Sequence, residues 1–394
     1  IEDTFTTRNG RKVQLEVYVE PGKEARAKYS MEALKLAMQF DEQFFDREYD
    51  LDHMKMVGVP DFNAGAMENK GLMIFNETTL LVDEHSGTDH SFRSVATTVA
   101  HEYFHNWSGN RVTVRNWFEL ALKEAFTDFR AMLFGEWLFG AEFIRPKDVA
   151  LLKETQFPEE ISKSGHPIMV ESYVNARSIY DHTTYIKGRE VFRCLQTFLD
   201  MKEPEGFRKT QNHYFSKYDG QAVTFRELLS SAGEVIQDPE SLQQFERWFS
   251  QQGTPHIEIE ISSGQLVVKQ SCPHPQTGAL QKPFLIPFSF ELLRKDGTVA
   301  VPKSNSILTE ETHQFDIPNS NGLIPIFMHG YSAPVELHYN YSLDELACLM
   351  SHAQDPYCRW EAGQNYSLMA FNAMLDRLKE RGEKADISDL LEPY

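Results

Sequence analysis

HEYFHNWSGNRVTVRNWFELALKE, residues 101–124, is the stretch whose reading decides what this chain is. A helix turns once per 3.6 residues, so in a helical run His101 and His105 lie on one face and both imidazoles can reach a single ion. Glu102 is rotated about 100° away and stands beside such an ion, over the place of its bound water. A catalytic zinc takes three protein ligands and keeps one position open, so a third ligand is expected from a separate element. Glu124 is the candidate. Asn116 with Glu119 reads as a capping box, and Phe118, Leu122, Phe126, Phe129 and Leu133 form an apolar stripe, which predicts a second helix over about 117–134. A two-histidine motif of this kind turns up by chance in roughly 5% of chains this long. The acidic residue on its own capped helix is what makes the metal reading outweigh a pair of solvated histidines.

Zinc in such a site lowers the pKa of a water to about 7 and polarises a carbonyl oxygen. Glu102 is then placed to take the water's proton as general base and hand it to a leaving amine. The expected chemistry is amide hydrolysis, with one zinc per chain.

The 394 residues allow two or three domains at roughly 100–200 residues each. With 41% hydrophobic and 25% charged residues, and no apolar run near the roughly 18 residues of a membrane helix, the composition is that of a water-soluble globular chain. A net charge of −19 without Lys/Arg clusters argues against a nucleic-acid partner. Cys194, Cys272, Cys348 and Cys358 are too sparse for a disulfide framework or a CxxC site, which fits a reducing compartment such as the cytoplasm. Opening at Ile1 on polar sequence, the chain reads as a piece of a longer protein.

Val13, Leu15, Val17 and Val19 alternate after a turn at Arg8-Asn9-Gly10, predicting a hairpin; Met31, Leu34, Met38 and Phe45 recur at helical spacing. The segment Val57–Asn76 has strand-like ends and a centre of small residues that lets backbone approach a ligand. Asp89 or Ser91 is the expected cap of the helix bearing His101. Helices are expected over Tyr180–Leu199, Thr224–Gly233 and Phe245–Gln252. Alternation at Ile257, Ile259 and Ile261, a turn at Ser262-Ser263-Gly264, and strand-like Phe284–Leu293 and Val335–Tyr341 then predict a small β-sandwich. From Ser342, boxed with Glu345, the pattern is helical, and Trp360, Tyr366, Met369, Phe371, Met374 and Leu378 carry more apolar surface than about 50 residues bury alone.

Gly65-Ala66-Met67-Glu68-Asn69, the two-histidine motif after a gap of 31 residues and Glu124 after a gap of 18 more together resemble the zinc aminopeptidase family that includes bacterial aminopeptidase N, a gluzincin family. Asp3-Thr4-Phe5-Thr6-Thr7, His105-Asn106-Trp107, Gly109-Asn110-Arg111-Val112-Thr113, Tyr185 with Lys187-Gly188, and Gln251-Gln252-Gly253-Thr254-Pro255 extend the likeness along the chain. The resemblance implies a multidomain α+β protein: a thermolysin-like zinc metallopeptidase domain over about 1–250, a β-sandwich over about 251–345, and the start of a helical domain over about 346–394. The family's N-terminal β domain is expected to be absent. It further implies an aminopeptidase acting on peptides with a free N-terminus, as a monomer, with zinc on His101, His105 and Glu124 and Glu102 as base. By the same resemblance Glu68, within the substrate-binding Gly65–Asn69 segment, takes the α-ammonium, Tyr185 stabilises the oxyanion, and Tyr180 lines the pocket for the first side chain. A carboxylate near the metal selects a cationic terminus, and a phenol aimed at a developing oxyanion lowers the barrier, so the chemistry agrees with both roles.

Departures from the family pattern are Ala125, where Gly usually follows the ligand, Ala64 in place of a bulky Met, and Ala131 where an acidic residue is common. If that acid orients a ligand histidine, its loss weakens metal binding about 10- to 100-fold unless Asp128, one turn earlier, substitutes. Two other readings stay open: an epoxide hydrolase built on the same zinc architecture, and a catalytically silent zinc- or peptide-binding module. Arg111 and Lys187-Gly188 favour the peptidase over the first, and intact His101, Glu102, His105, Glu124 and Tyr185 oppose the second.

Overall fold

A computed structural model describes residues 1–317 and 319–381; residues 382–394 of the expected helical domain lie outside it. The chain forms two compact units, Ile1–Ile144 with Pro158–Gln252, and Arg145–Phe157 with the chain from Gly253 onward.

The first unit is built on a five-stranded sheet of order β1-β2-β3-β5-β4: β1 (Glu2–Thr6), β2 (Lys12–Tyr18), β3 (His53–Val59), β4 (Ala66–Met67) and β5 (Leu72–Asn76). β1 and β2 make the expected hairpin, with Phe5 opposite Val13. Gly10 adopts φ +84° in its turn, a left-handed conformation that glycine reaches without a Cβ clash. β2, β3 and β5 run parallel, and the crossover from β2 to β3 is supplied by α1 (Lys28–Phe45), the predicted helix. Val13, Leu15, Val17, Met54, Met56, Met73 and Phe75 are all buried at alternate positions, so these strands are amphipathic and turn one face to the core. β4 sits at the open edge, antiparallel to β5, and carries Ala66 and Met67.

α2 (Asp89–Phe104) packs on α1 and on α3 (Leu120–Phe139). The cap of α2 is Thr88, one residue before the expected pair, and Ser91 closes a reciprocal box with it. Asn116 does cap the next turn, accepting from Phe118 N at 2.9 Å, but Glu119 does not complete the predicted box. Its carboxylate instead accepts from Phe225 N at 3.0 Å, across the unit. A short 3₁₀ turn, Trp117–Glu119, precedes α3, which runs on to Phe139. Arg130 of α3 is fully buried. It donates to Phe104 O at 2.9 Å, at the end of α2, and pairs with Asp41 of α1. One guanidinium thereby ties three helices together behind the histidines.

Thr113–Val114 (β6) pairs in parallel with Ala222–Val223 (β7). The helix expected from Tyr180 begins later: Thr183–Lys187 is a π turn, and α4 (Gly188–Lys202) follows. Gly188 packs against α3 so closely that an added Cβ would stand 2.4 Å from Ala125 Cβ. Thr224 and Glu227 box the start of α5 (Phe225–Ile236), near its expected place.

In the second unit β8 (His256–Ser262) and β9 (Gln265–Ser271) form the expected hairpin. With β12 (Thr312–Asp316) and β14 (Glu336–His338) they make a sheet of order β12-β9-β8-β14; β10 (Ile286–Leu293), β11 (Val299–Leu308) and β13 (Ile324–Phe327) make a second, β11-β10-β13. Seven strands in two sheets are the sandwich predicted. The strand expected over Val335–Tyr341 is only three residues long, because its pairing with β8 stops at His338. α6 (Leu343–His352), boxed by Ser342 and Glu345 as expected, leads into α7 (Pro356–Arg381). On α7 Tyr366 is buried while Met369 and Phe371 are exposed.

Candidate functional site

α2 ends at Phe104 and His105 is its C-cap, so the two histidines straddle the carbonyl end of the helix, where the backbone dipole favours positive charge. His101 Nε2 and His105 Nε2 are 3.0 Å apart. Glu124, in the second turn of α3, brings Oε2 to 3.4 Å from His101 Nε2 and 3.2 Å from His105 Nε2. Donor atoms held about 2.0–2.2 Å from a tetrahedral ion stand about 3.3–3.6 Å from each other. The triangle thus has the size a metal ion requires, slightly contracted on its histidine edge, and its two imidazoles and one carboxylate suit a borderline divalent cation.

The outer nitrogens are held as well. His105 Nδ1 lies 2.8 Å from Ser108 O, a carbonyl that can only accept. The proton therefore resides on Nδ1, and Nε2 turns its lone pair to the triangle. Thr127 Oγ1 donates to the same carbonyl at 3.1 Å and fixes it. Behind His101, Nδ1 faces Asp128 Oδ1 at 3.6 Å, a charge contact rather than a hydrogen bond, and the other Asp128 oxygen receives Arg189 at 3.2 Å. A carboxylate stands behind His101 even though position 131 is a buried alanine.

Charge in this cluster is dense. Burial would lower the His101 pKa, but Asp128, Glu124 and Glu102 raise it to about 10. The carboxylates that retain a proton there equally favour a cation in its place. Burial would raise Glu124, yet Lys123 and His105 hold it well below the usual carboxylate range. For Glu102 burial wins over the pull of both histidines and its carboxyl is pushed up. Burial, then the Glu124 charge, push the Tyr185 phenol up, so it stays protonated and able to donate. Glu68 is held low: burial works against this, while His105 and Lys123 pull it down.

These groups open on one cleft of about 770 Å³, lined by Gly65, Ala66, Met67, Glu68, His101, Glu102, His105, Glu124, Tyr180 and Tyr185 among others. The donor atoms of Glu68, Glu102 and His105 lie within 4.8 Å of one another, so Glu102 and the glycine-segment carboxylate share one neighbourhood. Asn69 is not among the lining residues; it is exposed, and its carbonyl accepts from Leu72 N in the turn to β5. Tyr180 is 43% exposed, with ring centroid 6.2 Å from Trp117 and 6.4 Å from Tyr185. Lys123 faces the cleft and not solvent: its Nζ donates to Glu68 Oε1 at 2.8 Å and to Glu124 Oε1. Trp117, Arg177, Thr97 and Thr98 also line the cleft, although no motif of the sequence includes them as site residues. Trp117 precedes the apolar stripe and Thr97 and Thr98 lie one turn before His101, so helical spacing was the available signal for the threonines.

Residues 29–248 match the family model of the peptidase family M1 domain, and residues 253–340 that of a domain of unknown function with an Ig-like fold, DUF3458. Aminopeptidase N of Escherichia coli (strain K12) is 38% identical over 383 residues, covering 93% of this chain and 43% of that protein. Aminopeptidase N of Haemophilus influenzae is 38% identical over 403 residues, 98% of this chain and 46% of that protein. Among solved structures, Legionella pneumophila aminopeptidase A in complex with aspartic acid superposes with a TM-score of 0.83 at 30% identity, covering 98% of this chain and 43% of that one. The chain thus spans under half the length of these relatives.

Proposed function

The chain belongs to peptidase family M1, and from that membership and the cleft we propose that it carries the machinery of a zinc-dependent aminopeptidase, releasing N-terminal residues from peptides. The observation that carries this reading is the meeting of the His101, His105 and Glu124 triangle with Glu102, Glu68 and Tyr185 in one cleft. One zinc ion held by that triangle would supply Lewis-acid polarisation and a water of lowered pKa.

The chain's own groups do the rest. Glu102, whose carboxyl is pushed up by burial, takes a proton from the attacking water and returns it to the leaving amine. Tyr185, kept protonated, donates to the oxyanion as it develops. Glu68 receives the α-ammonium and so favours cleavage one residue from a free terminus. The edge strand β4 supports the placement of an extended peptide, because a sheet edge offers backbone groups for pairing. Trp117, Tyr180 and Ala64 border the space beside it, where the first side chain would lie. The sparse, irregularly spaced cysteines support a reducing compartment, and a cytoplasmic monomer with divisions at about residues 250 and 345 belongs to the same reading.

Turnover of aminoacyl amides by the purified chain tests the proposal: activity should vanish with a chelator and return with zinc. Undiminished turnover after complete metal removal, or equal turnover of N-acetylated substrates, would sink it.

A further inference from the structure

The second unit carries a group of potentially metal-ligating side chains of its own: His256, Glu336 and His338. His256 opens β8, and Glu336 and His338 are the first and third residues of β14, so they project from one face of the strand. The two strands are parallel neighbours with Glu336 opposite His256 and His338 opposite Glu258. Ile257, between the outward residues of β8, is fully buried on the opposite face. The alternation that builds the sandwich core thus also gathers the two histidines and the glutamate outside it.

The separations agree with coordination. His256 Nδ1 is 3.4 Å from His338 Nε2 and 3.3 Å from Glu336 Oε2, and His338 Nε2 is 3.8 Å from the same oxygen. A tetrahedral ion with ligands at about 2.0–2.2 Å sets these edges at about 3.3–3.6 Å. The cleft triangle, with edges of 3.0, 3.2 and 3.4 Å, meets the criterion no more closely. The imidazole rings lie nearly parallel, 18° between planes, with both named nitrogens near the same carboxylate oxygen. Two imidazoles with one carboxylate suit a borderline transition ion and not Mg²⁺ or Ca²⁺, which prefer oxygen ligands. Glu258 adds negative charge to the same face.

We propose that His256, Glu336 and His338 form an accessory binding site for a divalent transition ion, Zn²⁺ in the first instance, that clips the edge strand β14 to β8. The clip has a structural use. β14 is the edge of its sheet and pairs over three residues only, and the chain leaves it directly for α6. An ion bonded to both strands would add cross-links where the ladder is shortest. With three protein ligands at the surface, the remaining coordination position falls to water.

Zinc counted by elemental analysis, after equilibration of the full chain with buffered zinc chloride, should show a second equivalent beyond the one held in the cleft. His256→Gln and His338→Gln should each lose that equivalent and keep the first, with aminoacyl-amide turnover unchanged. Both side chains are partly exposed, so neither change disturbs a core. Hydrogen exchange at residues 336–338 supplies a readout independent of stoichiometry: zinc should slow it in the parent chain and not in His338→Gln, while magnesium chloride should do nothing. A parent chain that binds no second equivalent, or variants that retain it, would overturn the proposal.

Discussion

Replacing Asp128 with asparagine tests whether the carboxylate behind His101 stands in for the one that Ala131 lacks. The side chain keeps its shape and an oxygen that can face Nδ1 at 3.6 Å, but the negative charge goes. Outer partners of ligand histidines are typically worth about 10- to 100-fold in metal affinity, or about 1.4–2.7 kcal/mol. Two features decide where in that range the loss falls. A neutral oxygen at 3.6 Å preserves little, since the contact is too long for a good hydrogen bond. Arg189, which now sits 3.2 Å from the other Asp128 oxygen, keeps its charge and would face His101 without the intervening carboxylate. Both push the effect to the upper end. Competition against a chromophoric chelator at fixed pH should show zinc affinity falling close to 100-fold, while turnover at saturating zinc falls much less. Affinity within twofold of the parent would refute the reasoning and leave Asp128 as no more than a partner for Arg189.

Glu102→Gln should retain zinc and lose about 10²–10⁴-fold in kcat, because the amide cannot accept the water's proton; metal content and single-turnover rates check it. Gly188→Ala gains at most about 1 kcal/mol of helix propensity but forces a Cβ to 2.4 Å from Ala125 Cβ. Overpacking of this kind costs about 1–3 kcal/mol, so denaturant melts should show net destabilisation, and Ala125→Gly in the same chain should restore most of it. Asp41→Ala should cost about 3–5 kcal/mol, since it strands the fully buried Arg130 guanidinium; a melt within 1 kcal/mol of the parent would contradict it.

The grouping of His101, His105 and Glu124 was legible because its information is local: two histidines one turn apart, and a carboxylate on a helix with a readable start. The amphipathic strands β2 and β8 and the box at Ser342 were legible for the same reason. Interactions between distant segments were not. Glu119 has the spacing of a capping box, but a backbone N–H 106 residues away claims its carboxylate. Nothing near Asp41 or Arg130 in the chain announces a pair formed across 89 residues in a fully buried place. β11 contains Lys303, Ser304, Asn305 and Ser306, which suppress the alternation that marks a strand, and its pairing with β10 supplies the order that its composition does not. Lys123 could be placed on neither the cleft side nor the solvent side by periodicity alone, because it sits at the border of the stripe; two carboxylates from different segments draw it inward.

That placement of Lys123 changes how Glu68 has to be tested. Glu68 Oε1 already accepts from Lys123 at 2.8 Å, and Lys123 also reaches Glu124, the third corner of the triangle with His101 and His105. Glu68→Ala would therefore do two things at once: remove the acceptor for an α-ammonium and leave Lys123 to draw more strongly on Glu124. Glu68→Gln separates them, since its amide oxygen can keep the lysine in place while the charge that attracts an ammonium is gone. Losing one partner of a desolvated charge pair costs about 2–5 kcal/mol, or roughly 30- to 4,000-fold in kcat/KM where the contact persists in the transition state. Lys123 already neutralises part of the Glu68 charge, so the lower half of that range is expected. The loss should fall on substrates with a free α-amine, N-acetylated substrates should be poor with the parent chain and drop little further, and zinc affinity should hold. An equal fall on both kinds of substrate, accompanied by weaker zinc binding, would show that Glu68 acts by way of Lys123 and Glu124, and would remove it as the group that recognises the peptide's terminus.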